Sequence, residues 1–358
     1  MATPRVLHLL WSGRIGGIER QVEAIVRYSA RRNASAHLAC LLDGRGPIGD
    51  QLVATGLACR LEMRTGWDPV GLLRLARLLR RLRPAIVHIH THAIGAILVA
   101  TVALPRATRF YSEHSPRSLR PDRKFGFLYW LLRRSVSRFV AATPTMALTM
   151  ESRGVDPERL VVLPNCVPIE RRAESPARDG PPTLGLVARL EPQKRVDLFI
   201  DVVAALRKRG VVCAGLIVGG GTCRVRLVEQ TQRLGLENVV TFVGEQADVV
   251  PWLDQMDVFF MSSGSEPFGI AALEAMARGA AVVAMPCPGG LSDLVGRGGL
   301  LLPDRRVATA ADAVARLLRS PDARRELRAR AHAVLTEFDF DRVMTSLEGL
   351  YHDGFGRP

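Results

Sequence analysis

The chain has 358 residues, of which 47% are hydrophobic and 23% charged, and its 32 Gly and 22 Pro are spread along its length. This balance is that of a globular protein, excludes a mainly disordered or collagen-like chain, and at this length favours two domains. The net charge of +14 lies in residues 1–165, with 25 basic and 11 acidic groups against 24 of each in residues 166–358, so the first half attracts anionic partners.

The first half alternates between strands and helices. An apolar segment at 5–11 predicts a strand, the glycine loop 12–17 follows, and apolar residues then repeat at helical spacing from 18 to 26. Further strands are predicted at 36–42, 85–90, 109–112, 139–142 and 160–163. This alternation is typical of a parallel sheet covered by helices.

The second half repeats the alternation. Residues 164–182 are rich in proline and charge and are predicted to be a linker. Strands are then predicted at 183–188, 214–218, 239–243, 257–261, 281–285 and 299–302. The sequence therefore predicts an α/β protein with two Rossmann-like domains, residues 1–168 and 169–339, that face each other across a cleft where ligands bind.

The strongest motif is the segment 262–279, which follows an apolar strand. Pro267 near its start and Gly279 after its end predict a helix of about three turns. A helix N-terminus has free N–H groups that bind anions. The N–H groups expected to do so here are those of Gly269, Ile270 and Ala271.

Two acidic residues accompany this helix. Glu266 lies in the loop before it, and Glu274 lies eight residues on, about two turns later on a similar face. Buried carboxylates need hydrogen-bond donors, and the hydroxyls of a sugar and a ribose are suitable donors. The pair indicates a site for a sugar nucleotide.

Two shorter motifs supply two cations and a place where a ligand can come close to the backbone. Arg189 and Lys194 follow a strand end and precede a helix, where a guanidinium and an ammonium suit a diphosphate. Gly16 and Gly17 lack side chains, so a ligand can approach the backbone there.

These motifs together resemble those of a retaining glycosyltransferase of family 4, which has the GT-B architecture. The segments GGIERQV at 16–22, ARLEPQK at 188–194 and EPFGIAALEAMARG at 266–279 match the family's motifs in order and spacing. Glu266 and Glu274 match its E-x7-E motif. The resemblance covers nearly the whole chain.

The resemblance implies a nucleotide sugar as donor, with Arg189 and Lys194 on the diphosphate, Glu266 on the sugar hydroxyls and Glu274 on the ribose. It implies transfer to an acceptor hydroxyl with retention of configuration and without a covalent intermediate. Because Arg189, Lys194 and the helix N-terminus can stabilise the leaving diphosphate in place of Mg²⁺, we expect no metal and no other cofactor. Cell-surface polysaccharide, lipopolysaccharide or glycolipid synthesis is the expected setting.

The resemblance also implies roles for the first half. Gly16 and Gly17 would border the reacting centre, and His114 would lie near the donor sugar. The segment 340–358 would be a closing helix that packs back on the first domain.

The chain departs from the family's pattern at three places. Cys166 and Arg195 stand where the family commonly has glycine, and the run Gly219–Gly221 lacks the family's acidic residue. The first two departures question the local backbone, and the third weakens any nucleotide contact at the glycine run.

Two basic segments bear on the partners. Residues 72–83 form a basic amphipathic helix, and residues 117–139 set aromatic residues between basic ends. Such a pattern suits an anionic membrane surface and a glycan or lipid-linked acceptor, although a helix packed on a sheet with solvated arginines gives the same pattern.

Other interpretations stay open. His88, His90 and His92 alternate on a predicted strand and could converge on zinc, or be structural. Asp339 and Asp341 mimic a metal-binding DxD motif but precede a helix, which favours capping. An NAD enzyme is disfavoured by the glycine spacing, and nucleic-acid binding by the paired glutamates. Another nucleotide-sugar reaction, such as epimerisation or phosphorolysis, and a non-catalytic anion-binding protein remain alternatives.

Cysteine usage and hydropathy bear on location. The six cysteines form no CxxC pair, which argues against a disulfide scaffold or zinc ribbon. No signal peptide is evident, and the longest apolar run, 93–104, is too short to cross a bilayer. We expect a cytoplasmic protein, at most peripheral on the inner face of the plasma membrane.

Overall fold

The computed structural model describes residues 6–32, 37–114, 123–166, 168, 170–172 and 180–355. The chain divides into two compact units: Met1–Val167 with Phe340–Pro358, and Pro168–Asp339. Each unit has its own parallel sheet with helices between the strands, so the predicted α/β architecture of two parallel-sheet domains is confirmed.

The first unit is built on a sheet whose strand order is β3-β2-β1-β4-β5-β6-β7. Its strands are β1 (Val6–Leu10), β2 (His37–Leu41), β3 (Ala58–Arg60), β4 (Ile86–Ile89), β5 (Thr108–Ser112), β6 (Arg138–Ala141) and β7 (Leu160–Val162). Its helices are α1 (Gly17–Arg32), α2 (Pro47–Ala54), α3 (Pro69–Leu82), α4 (Ile94–Ala103), α5 (Arg123–Ser135), α6 (Pro144–Glu151) and the C-terminal α14 (Phe340–Phe355). A 3-10 turn, Pro157–Arg159, precedes β7.

Strand alternation divides the first unit's core into two faces. Leu7, Leu9 and Ile89 point to the face covered by α3 and α4. Val6 and Ile86 point to the other face, where Met344, Leu347 and Tyr351 of α14 are buried against them. The C-terminal helix therefore packs on the first sheet, and apolar burial holds it there.

The second unit is built on a sheet of order β10-β9-β8-β11-β12-β13. Its strands are β8 (Thr183–Val187), β9 (Ala214–Val218), β10 (Val240–Gly244), β11 (Val258–Met261), β12 (Ala281–Ala284) and β13 (Leu300–Leu301). Its helices are α7 (Val196–Lys208), α8 (Arg224–Arg233), α9 (Val250–Leu253), α10 (Ile270–Ala277), α11 (Leu291–Gly298), α12 (Val307–Arg319) and α13 (Pro321–Leu335), with 3-10 turns at Pro192–Lys194 and Thr336–Phe338.

The order of strands in both sheets reverses next to the first strand of each unit. In the first sheet β1 pairs with β2 and β4, and in the second β8 pairs with β9 and β11. Loops after such strands line the crevice where open parallel sheets bind ligands. The predicted glycine loop follows β1, and the predicted cations follow β8.

One strand was not predicted from the sequence. β3 was not predicted, because three residues at a sheet edge are too few to show alternation. Within the described residues, no helix combines the length and the apolar character needed to cross a bilayer.

Candidate active site

The loop after β8 presents two cations in the second unit. Lys194 ends a 3-10 turn, and its ammonium forms an ion pair with the Glu266 carboxylate, both side chains being mostly buried. Arg189, two residues beyond β8, is exposed and interacts electrostatically with Glu191. The structure therefore brings Lys194 and Glu266 together and leaves the Arg189 guanidinium accessible.

The glycine run Gly219–Gly221 supports that loop through close backbone contact. Gly219 has φ +139° and Gly221 has φ +154°, which favour glycine. A Cβ on Gly219 would lie 1.9 Å from the Ala188 carbonyl oxygen. Side chains at these positions would displace the backbone that carries Arg189. Close packing of the backbone therefore explains why these residues are glycine, without any contact to a nucleotide.

Arg195, which replaces the family's glycine, keeps the backbone conformation that a glycine would adopt. Its φ and ψ are 48° and 43°, the left-handed region, which costs a non-glycine residue about 1–2 kcal/mol. The guanidinium donates to both Asp197 carboxylate oxygens at 2.9–3.1 Å, and this contact raises the pKa of Arg195. The ion pair thus offsets the strain and preserves the turn.

Backbone contacts fix Glu266 in the loop between β11 and α10. The Glu266 N–H donates to the Pro288 carbonyl oxygen at 3.0 Å. Gly289 has φ +113°, and a Cβ there would lie 2.1 Å from the Glu266 carbonyl oxygen. Glu266 as a whole residue is 9% exposed, and its carboxylate accepts from Ser263 Oγ at 3.4 Å. It is therefore a positioned, mostly buried carboxylate, as expected from the sequence.

Helix α10 is shorter than predicted. Gly269 has φ +97°, so the helix begins at Ile270 and runs for eight residues, two turns instead of three. The first helical hydrogen bonds run from Ala272 and Leu273 to the Gly269 carbonyl. The N–H groups at the helix start are therefore those of Ile270 and Ala271, and the Gly269 N–H precedes the helix.

The spacing argument for the two glutamates is also wrong, although both are buried. Glu274 lies within α10 and is 8% exposed, whereas Glu266 precedes the helix by four residues. The two therefore do not share a helix face. Their burial comes from the loop and the helix separately.

Arg305 is a residue that the sequence analysis missed. It follows β13 and donates to three carbonyl oxygens, those of Ser262, Ser263 and Pro286, at 2.7–2.8 Å. These carbonyls lie just after β11 and β12. Arg305 thus connects the loop that carries Glu266, after β11, to the loop that follows β12.

We expect Arg305→Lys to destabilise the second unit by about 2 kcal/mol, because an ammonium cannot serve three carbonyls arranged for a planar guanidinium. Urea unfolding of purified variants measures this. Arg306→Lys is the matched control, since Arg306 is exposed and paired with Asp304. Equal stability of the two variants would contradict the role of Arg305.

In the first unit, Gly17 is the first residue of α1 and Gly16 precedes it. A Cβ on Gly16 would meet the flexible Glu19 side chain, at 2.3 Å from Oε2. The tighter position is Gly13, where a Cβ would lie 2.4 Å from Gly49 Cα. The sequence thus identified the glycines at the helix start and missed the pair that sets the path of the loop.

Histidines gather where β1, β4 and β5 end on the face covered by α14. His90 Nε2 lies 3.1 Å from His8 Nδ1, and His90 Nδ1 lies 3.0 Å from His114 Nε2. Burial lowers the pKa of His114 to about 4, against the raising effect of the Glu113 carboxylate. Burial also lowers the pKa of His8 and His90 well below the ordinary value, so these imidazoles are neutral at pH 7.

The three histidines that could converge on zinc, His88, His90 and His92, do not all meet. The His90 N–H still bonds the Leu9 carbonyl oxygen of β1 at 2.9 Å, whereas His92 lies three residues beyond the end of β4 and its Nε2 pairs with Glu113 Oε1 at 3.0 Å. Glu113 also accepts from the Tyr111 and Tyr129 hydroxyls at 3.0 Å. His92 therefore belongs to a separate, buried carboxylate cluster.

His8, His88 and His90 are the described side chains whose spacing could suit a metal, with ligand atoms within 4.8 Å. Their ring nitrogens are already used in hydrogen bonds. His88 bonds Tyr351 Oη at 2.6 Å and Ser112 Oγ at 2.8 Å, and His8 and His90 bond each other and further imidazoles. A metal would have to break these bonds, so we assign none here.

Two family models match consecutive parts of the chain. The model described as Glycosyltransferase Family 4 matches residues 15–171, and the model described as Glycosyl transferases group 1 matches residues 169–334. The boundary between the two matches falls in the predicted linker.

Curated relatives and solved structures agree with these models. A D-inositol 3-phosphate glycosyltransferase of Nocardia farcinica is 36% identical over 219 residues, 55% of this chain and 48% of the relative. A glycogen synthase of Mycobacterium tuberculosis is 31% identical over 230 residues, 62% of this chain and 55% of the relative. The aligned part thus spans about half the length of these relatives.

Among solved structures, Anabaena HepE in complex with UDP and glucose superposes with a TM-score of 0.83 at 20% identity, covering 98% of this chain and 99% of HepE. At that identity the likeness shows the fold. The structural likeness shows that the chain has the GT-B fold. The two family models, which together match residues 15–334, show that the chain belongs to the family 4 glycosyltransferases.

Proposed function

We propose that the protein transfers a sugar from a nucleotide-sugar donor to an acceptor hydroxyl, with retention of anomeric configuration and without a metal. The observation on which this depends is the Lys194–Glu266 pair, which places a cation and a buried carboxylate next to the start of α10. The HepE complex with UDP and glucose supports a uridine diphosphate sugar as the first donor to test.

Each group in the second unit suits one part of such a donor. Lys194 and Arg189 supply positive charge for the diphosphate, and the N–H groups of Ile270 and Ala271 add a helix N-terminus. Glu266 and Glu274 accept hydrogen bonds from hydroxyls of the sugar and ribose. Because a carboxylate and an ammonium already form a pair, the sugar binds to a preorganised site.

The chemistry follows from charge. As the bond from the anomeric carbon to the diphosphate breaks, negative charge grows on the departing phosphate oxygen, and Lys194 and Arg189 stabilise it. The acceptor oxygen bonds the anomeric carbon on the same face, and its proton passes to the departing phosphate. In this proposal the cations of the protein take the role that a metal ion would otherwise have at the diphosphate.

Labelled nucleotide sugars, incubated with and without acceptor glycans or glycolipids, test the proposal. Transfer with the donor's anomeric configuration, seen by NMR and unaffected by EDTA, is the expected result. An inverted product would refute retention, and loss of transfer in EDTA would refute metal independence. Epimerised donor without transfer would move the protein to the alternative nucleotide-sugar chemistry, and absence of any turnover would favour a non-catalytic anion-binding protein.

We further propose a glycan or lipid-linked acceptor, used at the inner face of the plasma membrane in synthesis of a surface polysaccharide or glycolipid. Helix α5 buries Leu128 and Leu132 and exposes Phe127 and Trp130, whose rings stack at 5.6 Å. The Arg134 guanidinium lies 4.3 Å from the Trp130 ring centroid. Exposed aromatic rings beside arginine suit a lipid headgroup region. Residues 117–122 of the predicted basic segment lie outside the described residues.

We expect the double variant Phe127→Ala and Trp130→Ala to bind vesicles that contain anionic lipid about tenfold more weakly, because its apolar contact with the interface is lost. Co-sedimentation with phosphatidylglycerol vesicles measures this. Leu148→Ala is the control, since Leu148 is 65% exposed on α6. Equal binding by both variants would refute the α5 surface.

A further inference from the structure

Five side chains of the first unit form a continuous chain, here called the imidazole relay: Glu348, His37, His8, His90 and His114. His37 Nδ1 lies 3.0 Å from His8 Nε2, and the His8–His90 and His90–His114 contacts extend the chain. At its far end His37 Nε2 lies 3.1 Å from Glu348 Oε1, too poorly aligned for a linear hydrogen bond but in close electrostatic contact. The relay links α14 to the end of β5.

Sheet geometry explains why these residues meet. His8 lies in β1 and pairs in register with His88 of β4, and His90 follows two residues later on the same face. His114 follows β5, two residues after Ser112. The same face packs against α14, which supplies Glu348. His37, the first residue of β2, pairs in register with Val6 of β1. Parallel register therefore brings together imidazoles that lie in, or just after, four neighbouring strands.

The relay has a direction because neutral imidazole has one donor and one acceptor nitrogen. A carboxylate oxygen is negatively charged and only accepts, so its contact with His37 Nε2 at 3.1 Å favours the His37 proton on that nitrogen by electrostatic attraction, without an aligned hydrogen bond. His37 Nδ1 then accepts from His8 Nε2, and His8 Nδ1 accepts from His90 Nε2. In turn His90 Nδ1 accepts from His114 Nε2. This assignment leaves His114 Nδ1 without a proton.

His114 Nδ1 is buried and has no hydrogen-bond partner among the described residues. His114 also lines a small cavity in the first unit, together with Gln21, Ser112 and Asn165. A buried acceptor without a donor costs about 1–3 kcal/mol. A ligand hydroxyl that donates to it would recover that cost.

We propose that Glu348 and His37 are positioning residues, which act through the imidazole relay to keep His114 Nδ1 as a hydrogen-bond acceptor for a hydroxyl of the sugar substrate. The proposal rests on the proposed function for the identity of that hydroxyl. It assigns the control of a substrate contact to a residue on the C-terminal helix, 234 positions away in the sequence.

Neighbouring groups leave this direction undisturbed. His88 packs 4.1 Å from His90 between ring centroids, but its own nitrogens bond Tyr351 and Ser112. Burial lowers the pKa of His88 to about 3, so it is neutral as well. A doubly protonated His8, His88 or His90, which would donate from both nitrogens, is therefore disfavoured.

The test is the tautomer of His114, read from imidazole nitrogen shifts in protein labelled with ¹⁵N-histidine. The wild type is expected to show a protonated Nε2 and an unprotonated Nδ1. Glu348→Gln keeps the shape but presents an amide that donates as well as accepts, so we expect mixed tautomers at His37 and His114. Asp353→Asn, the same chemical change at an exposed position of α14, is the control and should leave the tautomers unchanged.

Kinetics supply the second readout. We expect kcat/KM for transfer to fall about tenfold in Glu348→Gln, with thermal stability close to that of wild type, and to stay unchanged in Asp353→Asn. A protonated His114 Nδ1 in the wild type overturns the proposal even if no variant folds. Unchanged tautomers in a folded Glu348→Gln overturn it too, as does unchanged kcat/KM.

These outcomes separate the relay from the proposed function. The nitrogen shifts require no donor, so they judge the relay even in the absence of transfer. Wild-type transfer with an unaffected Glu348→Gln rejects the relay and keeps the proposed function. A wild type that transfers no sugar rejects the assignment of the sugar hydroxyl, whatever the tautomer.

Discussion

Lys194→Ala is expected to lower kcat for sugar transfer more than about 10²-fold, the size expected when one charge contact to a leaving group is lost. The ammonium pairs with Glu266, and the two side chains are only 16% and 12% exposed. Its removal also leaves a mostly buried carboxylate without its cation, which is costly. The substitution therefore affects both the leaving group and the sugar.

Two further variants separate these effects. Glu266→Gln removes the negative charge and keeps Lys194, so we expect weaker sugar recognition with UDP binding near normal. Lys194→Arg keeps the charge but changes its shape and reach, and should recover part of kcat. Lys208→Ala, at an exposed lysine of α7, is the control.

The measurements are kcat and KM for transfer and the Kd for UDP by calorimetry. If Lys194→Ala turns over at a near-normal rate, the assignment of Lys194 to the leaving group is wrong. If Lys194→Ala lowers kcat, but Glu266→Gln weakens UDP binding as much as Lys194→Ala does, the Glu266 carboxylate acts on the nucleotide. The assignment of Glu266 to the sugar and Lys194 to the leaving group is then wrong.

The sequence predicted those parts of the fold that depend on local patterns. Apolar strands alternating with helices repeat twice, and the break at 164–182 separates the repeats. Two-residue periodicity cannot reveal β3, because Ala58–Arg60 is too short to show it. The late start of α10 was missed for a related reason: the left-handed backbone of Gly269 depends on the loop packed against it, which no local pattern records.

The residues of the candidate site also fall into two groups, those that a sequence motif predicts and those that only the fold reveals. Lys194 and Glu266 could be found because family 4 motifs place both residues, and the structure pairs them. Arg305 could not be found in this way, because its role depends on hydrogen bonds to three carbonyl oxygens of loops that are distant in the sequence, and no sequence motif marks it. Arg195 is the opposite case. It stands where the family commonly has glycine, but its ion pair with Asp197 keeps the left-handed backbone conformation of the turn.

The histidines show how register creates a feature that spacing hides. The pattern at 88–92 drew attention to three residues of one strand, yet His92 pairs with Glu113 and the relay recruits His8 and His114 instead. Their meeting depends on which strands are neighbours in the sheet. Only the fold gives that information. The same fold buries these histidines, so the stability of the first unit is expected to depend on pH.

The first unit is expected to lose stability steeply as pH falls below about 6.5, because its buried histidines are neutral when folded. Burial lowers the pKa of His88 to about 3 and of His114 to about 4, and lowers those of His8 and His90 well below the ordinary value. Between the unfolded and folded values, the unfolded chain binds more protons than the folded one. Unfolding free energy therefore rises with pH in this window and falls on acidification.

Each such histidine contributes up to about 1.4 kcal/mol per pH unit, so four could contribute about 5 kcal/mol per unit in the lower part of the window. Hydrogen exchange followed by mass spectrometry from pH 7.5 to 4.5 measures this, with corrections for intrinsic exchange. Peptides from β1, β4 and β5 should lose protection, whereas those from β8 and β11 serve as the internal control, because the second unit contains one histidine, the exposed His332.

A matched substitution tests the cause. His88→Asn removes one titrating ring and should reduce the pH dependence of first-unit stability by about one proton, even though the variant is less stable at pH 7. His352→Asn, at an exposed position of α14, should leave the slope unchanged. Protection in β1 and β4 that does not change between pH 7 and 5 would show that these imidazoles do not fold as neutral groups, and it would remove the electrostatic basis for the direction of the imidazole relay as well.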